Sequence, residues 1–186
     1  MVKIKDIYDF IDSFAPFSAQ GEDDNSGFLV GDINRYVHRI GLSLDITRQT
    51  IQLAKRIGAE LVITHHPVIF RAQKVFTAPD CAYELAAANI AAICAHTSLD
   101  CADGGVNQVL ADLLCVTKAE RFPTEEFPEG MVRAGLFSAE NGEELAIHVG
   151  DRLGCAVRYY DAGKPIETVA VCGGGAPAPR RAPPVT

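Results

Sequence analysis

Leu61-Val62-Ile63-Thr64-His65-His66-Pro67 opens on apolar and β-branched side chains and closes on two histidines and a proline. An unbroken apolar run of this length, without polar alternation, is the pattern of a strand buried on both faces. Upstream, Thr47 is placed to cap a helix over Arg48–Ile57 and Gly58 to end it. Residues 36–44 read as the strand before that helix. Downstream, Pro79 leads into a helix over residues 80–88 with Asn89 at its end, and residues 90–95 form a second buried strand. Strand, helix, strand, helix, strand in that order predicts parallel strands joined by right-handed crossovers.

The flanks are read in the same way. Residues 3–14 place Ile4, Ile7, Tyr8, Ile11 and Phe14 at helical spacing, with Pro16 just beyond. The acidic stretch Gly21-Glu22-Asp23-Asp24-Asn25-Ser26-Gly27 is a loop on composition. It precedes a short strand at residues 28–30 and a turn at Gly31-Asp32. After Gly104-Gly105 the sequence predicts a helix at 106–114, a strand at 132–137, a helix over Gly142–Leu153, and strands at 156–159 and 168–172. The expected fold class is α/β, with βαβ units and a mostly parallel sheet flanked by helices. Its N-terminal α/β half spans 1–115 and the start of a second, incomplete half spans 116–172. Residues 173–186 carry four prolines and Arg180-Arg181 and are expected to be disordered.

A net charge of −7, with one doubly basic dipeptide in the tail, argues against nucleic acid as a partner, because a nucleic-acid surface needs clustered Lys and Arg. No apolar run approaches the ~20 residues of a membrane span, and the N-terminus lacks the core and cleavage site of a signal peptide. The six cysteines contain no Cys-x-x-Cys pair and read as reduced core residues. A cytoplasmic protein without a membrane partner is the expectation.

In an open parallel sheet, reactive groups collect beyond the carboxyl ends of the strands. Three predicted strands end in polar groups: Leu44-Asp45, Thr64-His65-His66, and His96-Thr97-Ser98-Leu99-Asp100. Parallel strands bring those ends to one edge. Adjacent residues of a strand point to opposite faces, but at a strand end turning into Pro67 the two histidines can splay around a small cluster, one to each of two metal ions. Alone, the dipeptide reads sooner as a solvated pair on a loop. Asp100 can bind or bridge metal ions, and mixed His and carboxylate ligation suits zinc, iron or manganese; it is also placed to cap a turn. His96 reads either as a partner orienting a ligand or as a satisfied buried imidazole. Asp45 reads as a helix cap, with an orienting role as the alternative. His38 and His148 read as bystanders, although His148 follows Glu144 by a helical turn.

These stretches carry a resemblance. Ile63-Thr64-His65-His66-Pro67-Val68-Ile69-Phe70 and Ala95-His96-Thr97-Ser98-Leu99-Asp100, followed by Gly104-Gly105-Val106-Asn107, resemble the Nif-three-like family, whose members are often called GTP cyclohydrolase I type 2 or dinuclear-metal-centre proteins. Asp24-Asn25-Ser26-Gly27-Phe28-Leu29-Val30-Gly31-Asp32, Leu42-Ser43-Leu44-Asp45-Ile46-Thr47 and Val169-Ala170-Val171-Cys172-Gly173-Gly174 support it in the same order. The resemblance implies a homohexamer with two divalent metal ions per subunit. His65 and Asp100 would hold one ion and His66 the other. It further implies a His and a bridging Glu from a C-terminal motif that this sequence does not carry, and the expectation is that the tail reflects truncation or a frameshift.

The function implied by the resemblance is that of a metal-dependent hydrolase of the GTP cyclohydrolase I type 2 kind, with a nucleotide as substrate. The alternatives are a non-catalytic metal-binding regulatory or assembly protein, or an inactive truncated fragment. No catalytic residue beyond the ligands is marked by the sequence.

Overall fold

The computed structural model describes residues 1–125 and 127–174; the predicted disordered tail therefore lies, beyond its first two residues, outside the described residues. The chain divides into two compact units, Met1–Leu99 and Asp100 onward.

In the first unit, β1 (Val2–Lys3) leads into α1 (Ile4–Phe14) and a 3₁₀ turn (Phe17–Ala19). There follow β2 (Gly27–Val30), β3 (Tyr36–Val37), β4 (Ile40–Ser43), α2 (Arg48–Ile57), β5 (Leu61–Thr64), α3 (Cys81–Ala87) and β6 (Ala91–Cys94). The main sheet has the order β2-β6-β5-β4. β4, β5 and β6 are parallel as predicted, while β2 runs antiparallel to β6. Thr47 accepts from the Thr50 amide at 3.1 Å, and Gly58 ends α2 with φ 68°, the left-handed cap that glycine adopts without strain.

Alternation along β5 and β6 builds a core on each face of this sheet. Leu61, Ala91 and Ile93 pack with Ile4 and Ile11 of α1 and with Phe17. Val62 and Ala92 pack with Ile51 and Ala54 of α2 and with Ala82 and Leu85 of α3. Each fully buried Leu or Ile contributes about 1.5–3 kcal/mol, so the register of these strands is strongly held.

The single strand expected over residues 36–44 is two strands. The amides of His38 and Arg39 both donate to Glu60 Oε2, at 2.7 and 3.3 Å. This carboxylate takes the place of a ladder partner, so β3 pairs with β1 and only β4 joins the main sheet.

The chain then passes through α4 (Thr97–Cys101), a short helix with no apolar spacing to mark it in the sequence, to α5 (Val106–Leu113). The second unit continues with β7 (Thr117–Phe122), β8 (Val132–Ala139), α6 (Gly142–Leu153) and β9 (Ile166–Val171). Its sheet, β7-β8-β9, is antiparallel throughout, so the parallel character is confined to the first unit. β7 was not anticipated: its sequence, Thr-Lys-Ala-Glu-Arg-Phe, is largely polar. The strand expected at 156–159 is absent. After α6 the Cys155 amide returns to the Gly150 carbonyl at 3.2 Å, and the pairing edge of β8 is filled by β9 instead.

Arg133 and Asn107, both fully buried, organise this unit. Arg133 donates to the carbonyls of Gly130 (2.7 Å), Cys101 (3.0 Å) and Ala102 (2.9 Å) and to Gln108 Oε1 (3.2 Å). Burial lowers the pKa of its guanidinium, an effect that neighbouring Arg121 reinforces and Asp103 opposes. Asn107 donates to the Asp100 carbonyl at 3.3 Å and accepts from the Gly173 amide at 2.6 Å. Arg133→Ala would remove the donor to the buried Gly130 and Cys101 carbonyls and one of two donors to that of Ala102, which the Gly105 amide also serves, and a loss of about 2–4 kcal/mol in urea unfolding is expected.

The six cysteines are free thiols. Burial, with a minor contribution from Asp24, pushes Cys94 up to about 12. Burial, then the charge of Asp100, pushes Cys101 up to about 11. Cys115 and Cys155 are exposed. At pH 8, native protein should be alkylated at Cys115 and Cys155 while Cys94 and Cys101 stay protected until denaturation; peptide mapping after iodoacetamide treatment checks this.

Candidate metal centre

The register of the first unit's sheet brings the ends of four segments together. Thr64 pairs with Cys94, so His65 follows β5 beside Ala95 after β6. Ser43 pairs with Thr64, which sets Leu44 and Asp45 beside the two histidines; the His66 amide donates to the Leu44 carbonyl at 2.9 Å. Because β2 is antiparallel to β6 with Gly27 opposite Cys94, the acidic loop before β2 reaches the same edge.

Three imidazoles converge there. The ring centroids of His65 and His66 lie 5.1 Å apart, those of His65 and His96 5.1 Å, and those of His66 and His96 5.6 Å. Their ring nitrogens include a set lying within 4.8 Å of one another. Each Nδ1 has an oxygen partner: Ala95 O for His65 at 3.0 Å, Asp45 Oδ1 for His66 at 2.6 Å, and Asp24 Oδ1 for His96 at 2.7 Å. A carbonyl or an ionised carboxylate only accepts, so each of these Nδ1 atoms donates. A carbonyl or carboxylate behind a histidine is the usual support of a metal-bound imidazole. The donor set fits a divalent ion of the zinc, iron or copper type. The site is graded in exposure: the side chain of His96 is 21% exposed and that of His66 46%.

Asp24 is the most buried part of the arrangement, its side chain 4% exposed. Oδ1 accepts from the Asn25 amide at 2.7 Å as well as from His96. Oδ2 accepts from the Thr97 amide at 3.1 Å and from the Thr97 hydroxyl. Burial alone would raise its pKa, but the bonds from Thr97, His96 and Asn25 outweigh it and the carboxyl sits below its ordinary value. Asn25 donates to the Ile69 carbonyl at 2.6 Å, tying the loop to the segment after the histidine pair. The Ser26 hydroxyl accepts from the His96 amide at 3.1 Å.

The sequence-marked residues are thus placed as follows. His65 and His66 stand at the end of β5, together with His96, which the sequence left between two roles. Asp45 orients His66, while Thr47 is the cap of α2. Asp100 lies in α4, 4% exposed, and belongs to the second unit; the three-histidine group does not include it. His38 is exposed, 3.6 Å from Glu60. His148 donates from Nε2 to the Leu114 carbonyl at 3.0 Å, and Glu144 accepts from the Glu140 amide, so no pair forms between them. Asp24 is the functional residue that the sequence reading did not single out. Its signal was present only as part of the Asp24-Asn25-Ser26-Gly27 stretch, because an antiparallel β2 is not legible in an acidic loop.

With its pKa lowered in the fold, Asp24 stabilises above the ordinary carboxylate pKa of about 3.9, and that contribution is lost as pH falls through its native value. Asp24→Ala strands the Thr97 amide and the His96 Nδ1–H, at an expected cost of about 1–3 kcal/mol at pH 7. The cost should shrink toward pH 3, as read from urea midpoints across pH.

A family model described as Duf34/NIF3 (NGG1p interacting factor 3) matches residues 2–179. The chain is 31% identical over 182 residues to a GTP cyclohydrolase 1 type 2 homolog of Lactococcus lactis, covering 93% of this chain and 70% of that protein. A Clostridium perfringens protein of the same name is 36% identical over 121 residues, which is 63% of this chain and 46% of that protein. The crystal structure of a Staphylococcus aureus protein superposes with a TM-score of 0.81 at 22% identity, covering 92% of this chain and 72% of that one, and so shares the fold. The aligned regions thus take in from about half to about 70% of these curated relatives. No helix of the described residues is long and apolar enough to cross a membrane. The matched family model and the order of its motifs along β2, β5 and β6 place the chain in the Duf34/NIF3 family, in which its histidine cluster could bind a metal.

Proposed function

We propose that the protein is a metal-dependent hydrolase of the GTP cyclohydrolase 1 type 2 kind, acting on a nucleotide. The observation that carries this reading is the convergence of three imidazoles, each with its Nδ1 held by an oxygen. The names of the relatives supply the substrate class. A bound divalent ion would supply Lewis-acid polarisation and would lower the pKa of a water toward neutrality. The chain's own residues do the rest. Ala95 O, Asp45 and Asp24 hold the three rings in orientation, and the acidic loop stays anchored through Asn25 to Ile69. Phe70 stands edge-on to His96 at 6.1 Å between centroids and walls that side with an apolar ring.

Asp100 is proposed as a carboxylate ligand on the family resemblance alone. The same resemblance carries the two-ion form of the site, which needs further donors because each ion takes four or more, and the homohexamer. A cytoplasmic setting is proposed from the six free thiols.

Purified protein should consume GTP when loaded with Zn²⁺, Mn²⁺ or Fe²⁺, lose that activity on chelation and regain it on reloading. Equal rates in chelated and loaded protein, or no GTP consumption with metal bound, would count against the reading. Asp100→Ala should lower metal affinity if its carboxylate is a ligand; unchanged affinity removes Asp100 from the set.

A further inference from the structure

We propose that the outer edge of β4 is a self-association surface, at which a second copy of this chain pairs its own β4 antiparallel across a twofold axis, Leu42 opposite Leu42. This rests on the self-association proposed above from the family resemblance and goes beyond it in naming the strand and the register.

β4 ends the order β2-β6-β5-β4, and among the described residues no strand lies beyond it. An exposed edge presents unpaired N–H and C=O groups, which proteins usually blunt with charges, bulges or proline. The other edges of the two larger sheets carry such devices. The ladders of β2, β7 and β9 each contain a register shift. β7 also bears Lys118, Glu120 and Arg121, and β9 bears Glu167. β4, by contrast, is Ile40-Gly41-Leu42-Ser43, uncharged and in unbroken register with β5.

Its apolar side chains are uncovered as well. Ile40 and Leu42 lie opposite Leu61 and Ile63, which pack toward α1. Yet Ile40 is 38% exposed, Leu42 80% and Leu44 61%, whereas strands of a parallel sheet are normally buried on both faces. Alternation puts these three side chains on one face, in a row along the edge.

The backbone sets the register. The Leu44 carbonyl accepts from the His66 amide, so Leu44, Leu42 and Ile40 turn their polar groups to β5 while Gly41 and Ser43 turn theirs outward. In an antiparallel pair, opposed residues of the bonding kind exchange both of their hydrogen bonds. Gly41 opposite Ser43 of the second copy, taken twice across the axis, uses every outward group of the strand. Leu42 then faces Leu42 as the closely spaced, non-bonded pair, and Ile40 faces Leu44. One position further, Arg39 comes beside Asp45 of the second copy; the two are opposite in charge and both exposed. One register therefore matches polar groups, apolar side chains and charges together. A shift of one residue sets Leu42 against Gly41 or Ser43 and bonding residues against non-bonding ones.

The test uses the whole chain in sedimentation velocity. A four-residue ladder stands at the weak end of specific interfaces, so concentrations run from about 1 to about 200 µM. The wild type should associate reversibly. Leu42→Lys and Leu42→Glu each put like charges opposite one another at the axis and should weaken association at least about tenfold. Circular dichroism should show the fold kept, because this side chain is mostly exposed. An equal mixture of the two variants sets Lys against Glu and should restore association. If the wild type assembles beyond a dimer, each variant should fall to a smaller assembly and the mixture should recover the larger one. A wild type that stays monomeric throughout overturns this proposal and the homohexamer together, and assigns the edge to another occupant. An assembly unchanged in both variants overturns this proposal alone, as does one lost in both and not restored by mixing. Should a variant unfold, amide exchange of the wild type decides: Gly41 and Ser43 gaining protection as association proceeds upholds the pairing, and no gain overturns it.

Discussion

The parallel register of β5 against β6, which sets Thr64 beside Cys94, is the constraint from which the histidine group follows. The register is enforced by the core, at a distance from the chemistry. Leu61, Ala91 and Ile93 turn to α1, while Val62 and Ala92 turn to α2 and α3. A slip of one residue would exchange the two faces and drive α1-packed side chains against the other layer. With several of these side chains fully buried, that exchange costs far more than any single hydrogen bond at the strand ends. The position of His65 relative to Ala95 is therefore fixed by apolar packing, and the 3.0 Å contact between them reads that packing out.

A second constraint comes from the strand that breaks the parallel pattern. Were β2 parallel to β6, the loop before it would lie at the opposite edge of the sheet. Running antiparallel, it delivers Asp24 to His96 and Thr97. Burying a carboxylate is expensive unless its lone pairs are taken. Here the Asn25 amide, the Thr97 amide and hydroxyl and the His96 ring take them, and the carboxyl stays ionised below its usual range. The acidic loop thus contributes its third carboxylate to the interior and leaves Glu22 exposed.

How much of this was legible in the sequence follows from which signals are local. The helices α1, α2, α5 and α6 and the strands β5 and β6 were visible through apolar spacing, and the caps Thr47 and Gly58 through residue chemistry. The convergence of Asp45, His65 and His96 was also visible, because parallel strands bring their ends to one edge. What escaped depended on partners distant in the chain. The break between β3 and β4 is caused by Glu60, the strand character of β7 by pairing with β8, and the role of Asp24 by the direction of β2. Residues 156–159 show the converse: a local strand pattern finds no partner when β9 already occupies the available edge of β8.

The three imidazoles are ordered by the protein itself, through oxygen acceptors on Nδ1, and this decides what the edge can recognise. The nitrogen tied to an oxygen is the same atom, Nδ1, in every ring. Asp24 and Asp45 add negative charge behind two of them, which strengthens those rings as donors to a cation and repels an anion at the same spot. An anionic substrate therefore requires a cation at this edge before it can approach.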